Sequence, residues 1–178
     1  MENLRPDIFM IPVITLGLVT GLFFYFLKRV SDKYIYKQYI VTIAILAFVF
    51  NLIWEVSQGS LYKGYEYDWQ HISICALASV ADMLMVLILL FLFGLIYNNV
   101  FWTKNFTTFR IVILMLAGGV GAIIAEVWHT SRGDWVYAES MPLIPWVEVG
   151  ISPVLQFTIL PLLIFIIISR LVLPKNEL

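Results

Sequence analysis

Several polar side chains share one face of an apolar stretch, and their types and spacing could support proton chemistry. On a helix one face would carry, in chain order, Asn51, Glu55, Gln58 and Tyr62. A charged group in hydrocarbon costs roughly 3 kcal/mol on insertion scales, so this face should turn towards protein or a water-filled cavity. We therefore take this stripe as the first candidate site.

Three other apolar stretches carry polar stripes with helical spacing. They consist of His71, Cys75, Ser79 and Asp82; of Glu126 and His129; and of Glu148, Ser152 and Gln156. At about 1.5 Å per helical residue the stripes fall at a similar depth, so we expect four helices to share one polar pocket in the outer leaflet.

Carboxyl groups in such a pocket could carry out general acid–base catalysis. Low dielectric favours the neutral carboxyl, so one acid can donate a proton while an ionised neighbour or an imidazole accepts one. Such a pair can protonate an alkene or shift a double bond without a cofactor. The candidate catalytic residues are Glu55, Asp82, Glu126 and His129, and the candidate substrate-binding residues are Asn51, Gln58, Trp135, Tyr137 and Gln156.

Two other interpretations of these residues remain open. Glu55 and Glu126 could pair with Arg132, His129 or amides only to hold helices in register. The spacing of Glu126 and His129, which Asp68 and His71 repeat, is also that of a ligand pair in di-iron helical bundles. Spacings this short arise by chance, so we expect a hydrogen-bonded network with no metal and no cofactor.

The amino-acid composition indicates which class of protein these residues belong to. Its 178 residues are 61% hydrophobic and 13% charged, with a mean hydropathy of +0.91, so we expect an integral membrane protein. Five apolar runs are long enough to cross a bilayer, at about 8–27, 39–60, 72–97, 110–130 and 150–172. The fold class predicted is an all-α bundle of five transmembrane helices in one domain, 1–178. A net charge of −1 argues against a nucleic-acid partner.

Basic residues predict the orientation, because cytoplasmic loops collect Lys and Arg. Eight of the eleven fall on one side of the five spans: Lys28, Arg29, Lys33, Lys37, Lys104, Arg110, Arg170 and Lys175. The other three are Arg5, Lys63 and Arg132. We expect the N-terminus outside and the C-terminus in the cytoplasm.

Prolines and small residues shape the last part of the chain. The segment 133–145 is too interrupted by proline for a plain helix and could cover the polar cluster as a lid. Pro153 and Pro161 suggest a bent or locally unwound fifth span. Gly118, Gly119 and Gly121 predict close packing of the fourth span.

The order of these motifs resembles a widespread family of uncharacterised bacterial multi-pass membrane proteins. The likeness covers about residues 45–165 and comprises Asn51-x-x-Trp54-Glu55-x-x-Gln58, Asp82, Glu126, Trp135-x-Tyr137, Met141-Pro142-x-x-Pro145 and Gly150-x-Ser152-Pro153-x-x-Gln156. It implies a bacterial inner membrane and no settled activity.

A weaker likeness is to carotenoid-pathway membrane enzymes, the lycopene cyclases and carotenoid hydratases. There a turn like Gly133-Asp-Trp135-Val-Tyr137 precedes a proline-led acidic motif like Pro145-Trp-Val-Glu148. This chain has one acid where the cyclase motif has two, so the likeness implies proton chemistry on an isoprenoid and not cyclisation itself.

Together these observations predict acid–base chemistry on an isoprenoid or lipid substrate. The alternative is a non-catalytic subunit that binds lipid or a small molecule within a membrane complex. A proton-coupled transporter ranks third, since the predicted inner halves of the spans lack a polar path. The expected partners are the bilayer and an apolar ligand, and self-association is left open.

Overall fold

The computed structural model describes residues 10–172, and five long helices dominate it. Their bounds are α1 Met10–Leu27, α2 Lys33–Gln58, α3 Trp69–Ile96, α4 Thr108–Ser131 and α5 Ile151–Leu171. Each helix is long and apolar enough to cross a membrane. Short 3₁₀ turns occupy Gly59–Leu61 and Trp102–Lys104, and two short strands are β1 Leu143–Ile144 and β2 Val149–Gly150. The predicted all-helical class with five spans is confirmed.

Two helices begin earlier than their apolar runs because a polar side chain caps each N-terminus. Asp32 accepts hydrogen bonds from two backbone N–H groups in the first turn of α2, so α2 begins at Lys33 and not near residue 39. Asp68 does the same for α3 at a distance of 2.8 Å, and α3 begins at Trp69 and not near residue 72.

The helices pack around α2 and α5. Helix α2 lies against α3 and α5, α4 packs on α5, and α1 covers α3. The largest fully buried side chains cluster at the end of the bundle where α2 begins: Trp102, Tyr36, Tyr39, Phe91 and Phe165. Trp102 donates its indole N–H to the Leu90 carbonyl oxygen at 3.0 Å, which closes this apolar core. The polar residues therefore gather at the opposite end, where α2 finishes at Gln58, and we call it the polar end.

The sequence predicted a bent or locally unwound fifth span; helix α5 is continuous through Pro161, which contradicts the unwinding and leaves the bend a prediction. Pro153 lies in the first helical turn, where no intrahelical N–H bond is lost. Pro161 removes the hydrogen bond to the Phe157 carbonyl, and that oxygen lies against Gly118 of α4, where a Cβ would collide with it. Glycine at this position therefore lets the neighbouring helix cover a carbonyl that proline leaves unpaired. The predicted close packing is confirmed for Gly118 and for Gly119, where a Cβ would lie 2.8 Å from Thr158 Oγ1 of α5, while Gly121 faces open space.

Residues 132–150, which we call the cap segment, are non-helical as predicted. Strands β1 and β2 form a small antiparallel hairpin. Tyr137 pairs with Tyr62 in an isolated antiparallel bridge, and Ala138 N–H donates to the Leu61 carbonyl at 2.9 Å. The cap segment is thereby attached to the chain just after α2, above the polar end.

Candidate functional site

Gln156 of α5 lies at the centre of a hydrogen-bonded cluster that joins three helices. Its Nε2 donates to Asn51 Oδ1 of α2 at 2.9 Å and to Asp82 Oδ2 of α3 at 3.1 Å. Its Oε1 accepts a hydrogen bond from Gln58 Nε2 at 3.1 Å. The side chain of Gln156 is 1% exposed, so one buried amide connects residues more than a hundred positions apart in sequence.

Gln58 extends the cluster to a second carboxyl group and a hydroxyl group. Its Nε2 also donates to Glu55 Oε1 at 2.8 Å, and its Oε1 accepts from Ser152 Oγ at 2.7 Å. Asn51 donates its own amide to the Ala47 carbonyl at 2.7 Å. Helical spacing on α2 and α5 makes these contacts possible, because each stripe presents its polar atoms to the other helix.

Glu126 of α4 is buried beside this cluster and is held from the cap segment. Its Oε2 accepts a hydrogen bond from Trp135 Nε1 at 3.2 Å and a second, very short one from the Tyr137 hydroxyl. Glu126 is 7% exposed and lies within electrostatic range of Glu55 and Asp82. The cap segment thus binds one of the three acids directly.

His129 faces the cap segment. Its ring stacks on Trp135 with ring centroids 4.3 Å apart, and its Nδ1 lies 2.8 Å from Asp134 Oδ2. Arg132 Nε lies 3.6 Å from the same carboxylate oxygen. The sequence had left open an ion pair of Arg132 with Glu55 or Glu126, and the structure instead places Arg132 beside Asp134.

Within residues 10–172, the three carboxyl groups of the cluster receive hydrogen bonds from neutral donors only. The donors are amide, indole and phenol groups, and none of the three acids forms an ion pair with another described residue. Ion pairing therefore does not account for these acids.

The negative charge of the cluster acts on Tyr62, which lies just beyond the end of α2. Burial raises the pKa of Tyr62 far above its usual range, and charge on Glu126 and Glu55 raises that pKa further. Burial likewise raises the pKa of Tyr137, and its hydrogen bond to Glu126 adds to the effect. Both phenols therefore stay protonated and able to donate hydrogen bonds at neutral pH.

The possible metal-ligand pairs do not come together. No group of three or more His, Cys, Asp or Glu side chains in the described part of the chain could hold a metal ion. Asp68 caps α3 and binds His71 Nδ1 at 2.8 Å, and these hydrogen bonds hold the pKa of Asp68 below its usual range. Tyr65 covers the His71 ring, with centroids 5.3 Å apart.

The structure thus divides the sequence-predicted site residues into two groups. One network contains Asn51, Glu55, Gln58, Asp82 and Gln156. A second group joins Glu126 to Trp135 and Tyr137, and His129 is attached to it through Trp135. Of the stripe on α3, only Asp82 reaches the network, since Cys75 contacts Tyr65 and Ser79 bonds to its own helix.

Sequence reasoning missed two features of this region. Asp134, the partner of His129, was not proposed for any role, although it directly follows Gly133, whose φ of 71° reverses the chain after α4. The Trp54 indole N–H is buried and has no hydrogen-bond partner among the described residues. Helical spacing places Trp54 on the same side of α2 as Asn51 and Gln58, and this spacing could have marked Trp54 as a site residue.

Comparison with protein families, with characterised proteins and with solved structures finds no match to this chain.

Proposed function

We propose that this protein is a membrane enzyme that moves protons on an isoprenoid or lipid substrate through carboxylate acid–base chemistry. The observation that supports this proposal most directly is a set of three buried carboxyl groups, from three helices, whose hydrogen-bond donors among the described residues are all neutral. Charges of one sign at close range in low dielectric disfavour ionising all three, so at least one carboxyl retains a proton. A protonated carboxyl and an ionised one then lie within electrostatic range of each other.

The hydrogen bonds suggest which carboxyl plays which role. Glu126 accepts two hydrogen bonds on one oxygen, an arrangement suited to an ionised carboxylate, and is our candidate base. Among the described residues Glu55 has only amide partners, Gln58 at 2.8 Å and Gln156, and it is our candidate acid. Asp82 accepts a hydrogen bond from the Gln156 amide and so helps to hold the network that positions Glu55.

The reaction class that fits these roles is a double-bond shift. The acid adds its proton to one alkene carbon, and the π electrons form the new C–H bond and leave a cation on the adjacent carbon. The base then removes a proton from the next carbon, and those C–H electrons form the new double bond. No oxidant, reductant or cofactor is consumed.

The proposed entry for an apolar substrate is a cavity next to the two residues that bind Glu126. A shallow cavity of about 350 Å³ is lined by residues of α4 and the cap segment, including Val127, Thr130, Trp135, Tyr137 and Val147. Trp135 and Tyr137 line this cavity and also bind Glu126. The buried Trp54 N–H supplies a donor for a substrate oxygen. The isoprenoid class itself rests on the likeness of the cap sequence to carotenoid-pathway enzymes.

Variants that remove one charge test the proposal. Glu55→Gln replaces a neutral acid with a neutral amide of the same shape, and Glu126→Gln removes a buried charge, so each should abolish function and leave the melting temperature in detergent unchanged or raised. Glu139→Gln, at an exposed position of the cap segment, is the control and should behave as wild type. The readouts are melting temperature and accumulation of the cell's isoprenoid and lipid intermediates.

A non-catalytic lipid-binding subunit is the second candidate, favoured by the near-complete hydrogen bonding of Gln58, Gln156 and Asn51. In that case the network only joins helices. Both Gln variants would then lower the melting temperature and leave every metabolite unaltered, and that result would overturn the enzyme proposal.

The setting we propose is a bacterial inner membrane, with the polar end outside. Lys28, Arg29, Lys33 and Lys37 all lie at the opposite end of the bundle, which favours a cytoplasmic position for that end. Arg5 and Lys175, which also entered the orientation argument, lie outside the described residues.

A further inference from the structure

A second concave site lies at the end of the bundle opposite the carboxylate cluster. The turn between α1 and α2 and the turn after α3 enclose a groove of about 720 Å³. Residues that line it include Phe26, Arg29, Val30, Asn99, Phe101 and Lys104. Binding pockets for small molecules typically measure about 300–1,000 Å³, so the groove is large enough for a ligand group.

The groove is separate from the proposed active site. Lys33, beside the groove, and Glu55 lie near opposite ends of α2, about 33 Å apart at about 1.5 Å per residue. Between them lies the apolar core around Tyr39 and Phe91, both fully buried. A ligand in the groove would therefore not reach the carboxyl groups.

Two cations of the described chain, Arg29 and Lys104, line this groove. Among the described residues, neither Arg29 nor Lys104 forms an ion pair. The Arg29 guanidinium lies 4.0 Å from the centre of the Tyr25 ring, which positions it without neutralising its charge. Asp32 also lines the groove, but its Oδ1 accepts two backbone N–H groups of α2, which offset its charge.

Neutral donors complete the set. Asn99 Oδ1 accepts the Phe101 N–H at 2.9 Å, which leaves its amide NH₂ group to donate. Ser31 and Asn98 also line the groove and are exposed. An Arg, a Lys and neutral N–H or O–H donors form the combination that proteins use to bind phosphate.

We propose that this groove binds a phosphate group, carried by an anionic lipid whose chains lie along the neighbouring helices. The lipid source follows from the walls, since Phe26, Val30 and Ile35 give the groove an apolar side at the level where α1 ends and α2 begins. Basic pockets between transmembrane helices bind anionic headgroups in this manner. A soluble phosphate ion could make the same contacts with the groove, and the experiment below distinguishes it from a lipid.

Native mass spectrometry of the full-length protein, with added phosphatidylglycerol, phosphatidylcholine or inorganic phosphate, tests the site. The variant Arg29→Gln/Lys104→Gln removes two charges from the groove, and Lys28→Gln/Lys37→Gln removes two exposed charges from the same end outside it. We expect wild type and the control to retain phosphatidylglycerol over phosphatidylcholine. The groove variant should lose about tenfold or more of that binding, because two charge-assisted contacts disappear.

The outcomes separate the sources. One outcome is that inorganic phosphate binds as strongly as phosphatidylglycerol and depends equally on Arg29 and Lys104. That result would support a phosphate site but refute the proposal that the ligand is a lipid. Equal losses in both double variants, or no phosphate ligand retained by wild type, would overturn the site. Lys104→Glu, at one exposed position, gives the same test should the double variant fold poorly, and it should lose phosphatidylglycerol at least as completely.

Discussion

Gln156 donates a hydrogen bond to Asp82 across 3.1 Å and so links α5 to α3, two helices that each pack against α2. The same amide group binds Asn51 on α2, so a single NH₂ group is shared among three helices. An amide can do this because it offers two donors and an acceptor within one side chain. The position of the carboxyl groups therefore depends on a residue that is itself uncharged.

Replacing Gln156 with Leu should destabilise the bundle measurably. The change removes one hydrogen bond each from Asn51 Oδ1, Asp82 Oδ2 and Gln58 Nε2, at about 1–3 kcal/mol for every buried atom that finds no substitute. Unfolding in detergent, followed by loss of helical signal, measures the cost.

Gln38→Leu is the matched control for this change, because Gln38 is exposed on the same face of the membrane as the basic loops. It should unfold as wild type does. Equal stability of the Gln156→Leu protein would mean that the network contributes nothing to holding the helices together.

The cluster could be predicted from the sequence because it lies on regular helices. Helical spacing alone places Asn51 near Glu55 and Gln58 on one face, and the cost of burying them in hydrocarbon requires that face to meet protein. The spacing of Ser152 and Gln156 supplies the opposing face in the same way. No such periodicity exists in the cap segment.

The contacts of the cap segment could not be predicted for that reason. Arg132 and His129 both lie beside Asp134, five or fewer positions away, because Gly133 reverses the chain with a φ of 71°. The sequence offered more distant acids as partners and gave no rule for choosing among them. The bridge between Tyr62 and Tyr137 likewise depends on a loop conformation that no repeating pattern predicts.

The stability of the protein should fall in alkaline solution, and Tyr62 should account for part of the loss. Burial and nearby carboxylates raise the pKa of Tyr62 in the folded state, so the folded protein holds this proton more tightly than the unfolded chain. Its contribution to stability is complete below the ordinary tyrosine pKa of about 10 and is lost as the pH rises above it.

The measurement compares unfolding at pH 8 and at about pH 10.5. Tyr62→Phe should show a smaller decrease than wild type, whereas Tyr67→Phe, at an exposed position, should show the full decrease. Identical decreases in all three proteins would show that Tyr62 is not buried beside the acids.

Gly118→Ala should destabilise the contact between α4 and α5. The new methyl group would collide with the Phe157 carbonyl oxygen, which is backbone and cannot rotate away. Overpacking of this kind costs about 1–3 kcal/mol. Gly121→Ala, on the same helix, meets nothing within 4 Å and should be neutral or gain about 0.5–1 kcal/mol from helix propensity. Thermal unfolding of the two variants in one detergent compares them, and an equal effect would refute the close approach.

The orientation can be tested with cysteine labelling, because the polar end and the groove end each carry an exposed serine. Ser140 lies in the cap segment and Ser31 lies between α1 and α2. In a Cys75→Ser background, an impermeant maleimide added to intact cells should label Ser140→Cys and leave Ser31→Cys unlabelled until the membrane is opened. The cations near Ser31 would then face the cytoplasm, and the carboxylate cluster would lie in the outer leaflet. Labelling of Ser31→Cys alone in intact cells would invert the topology and place any substrate of the cluster in the cytoplasmic leaflet.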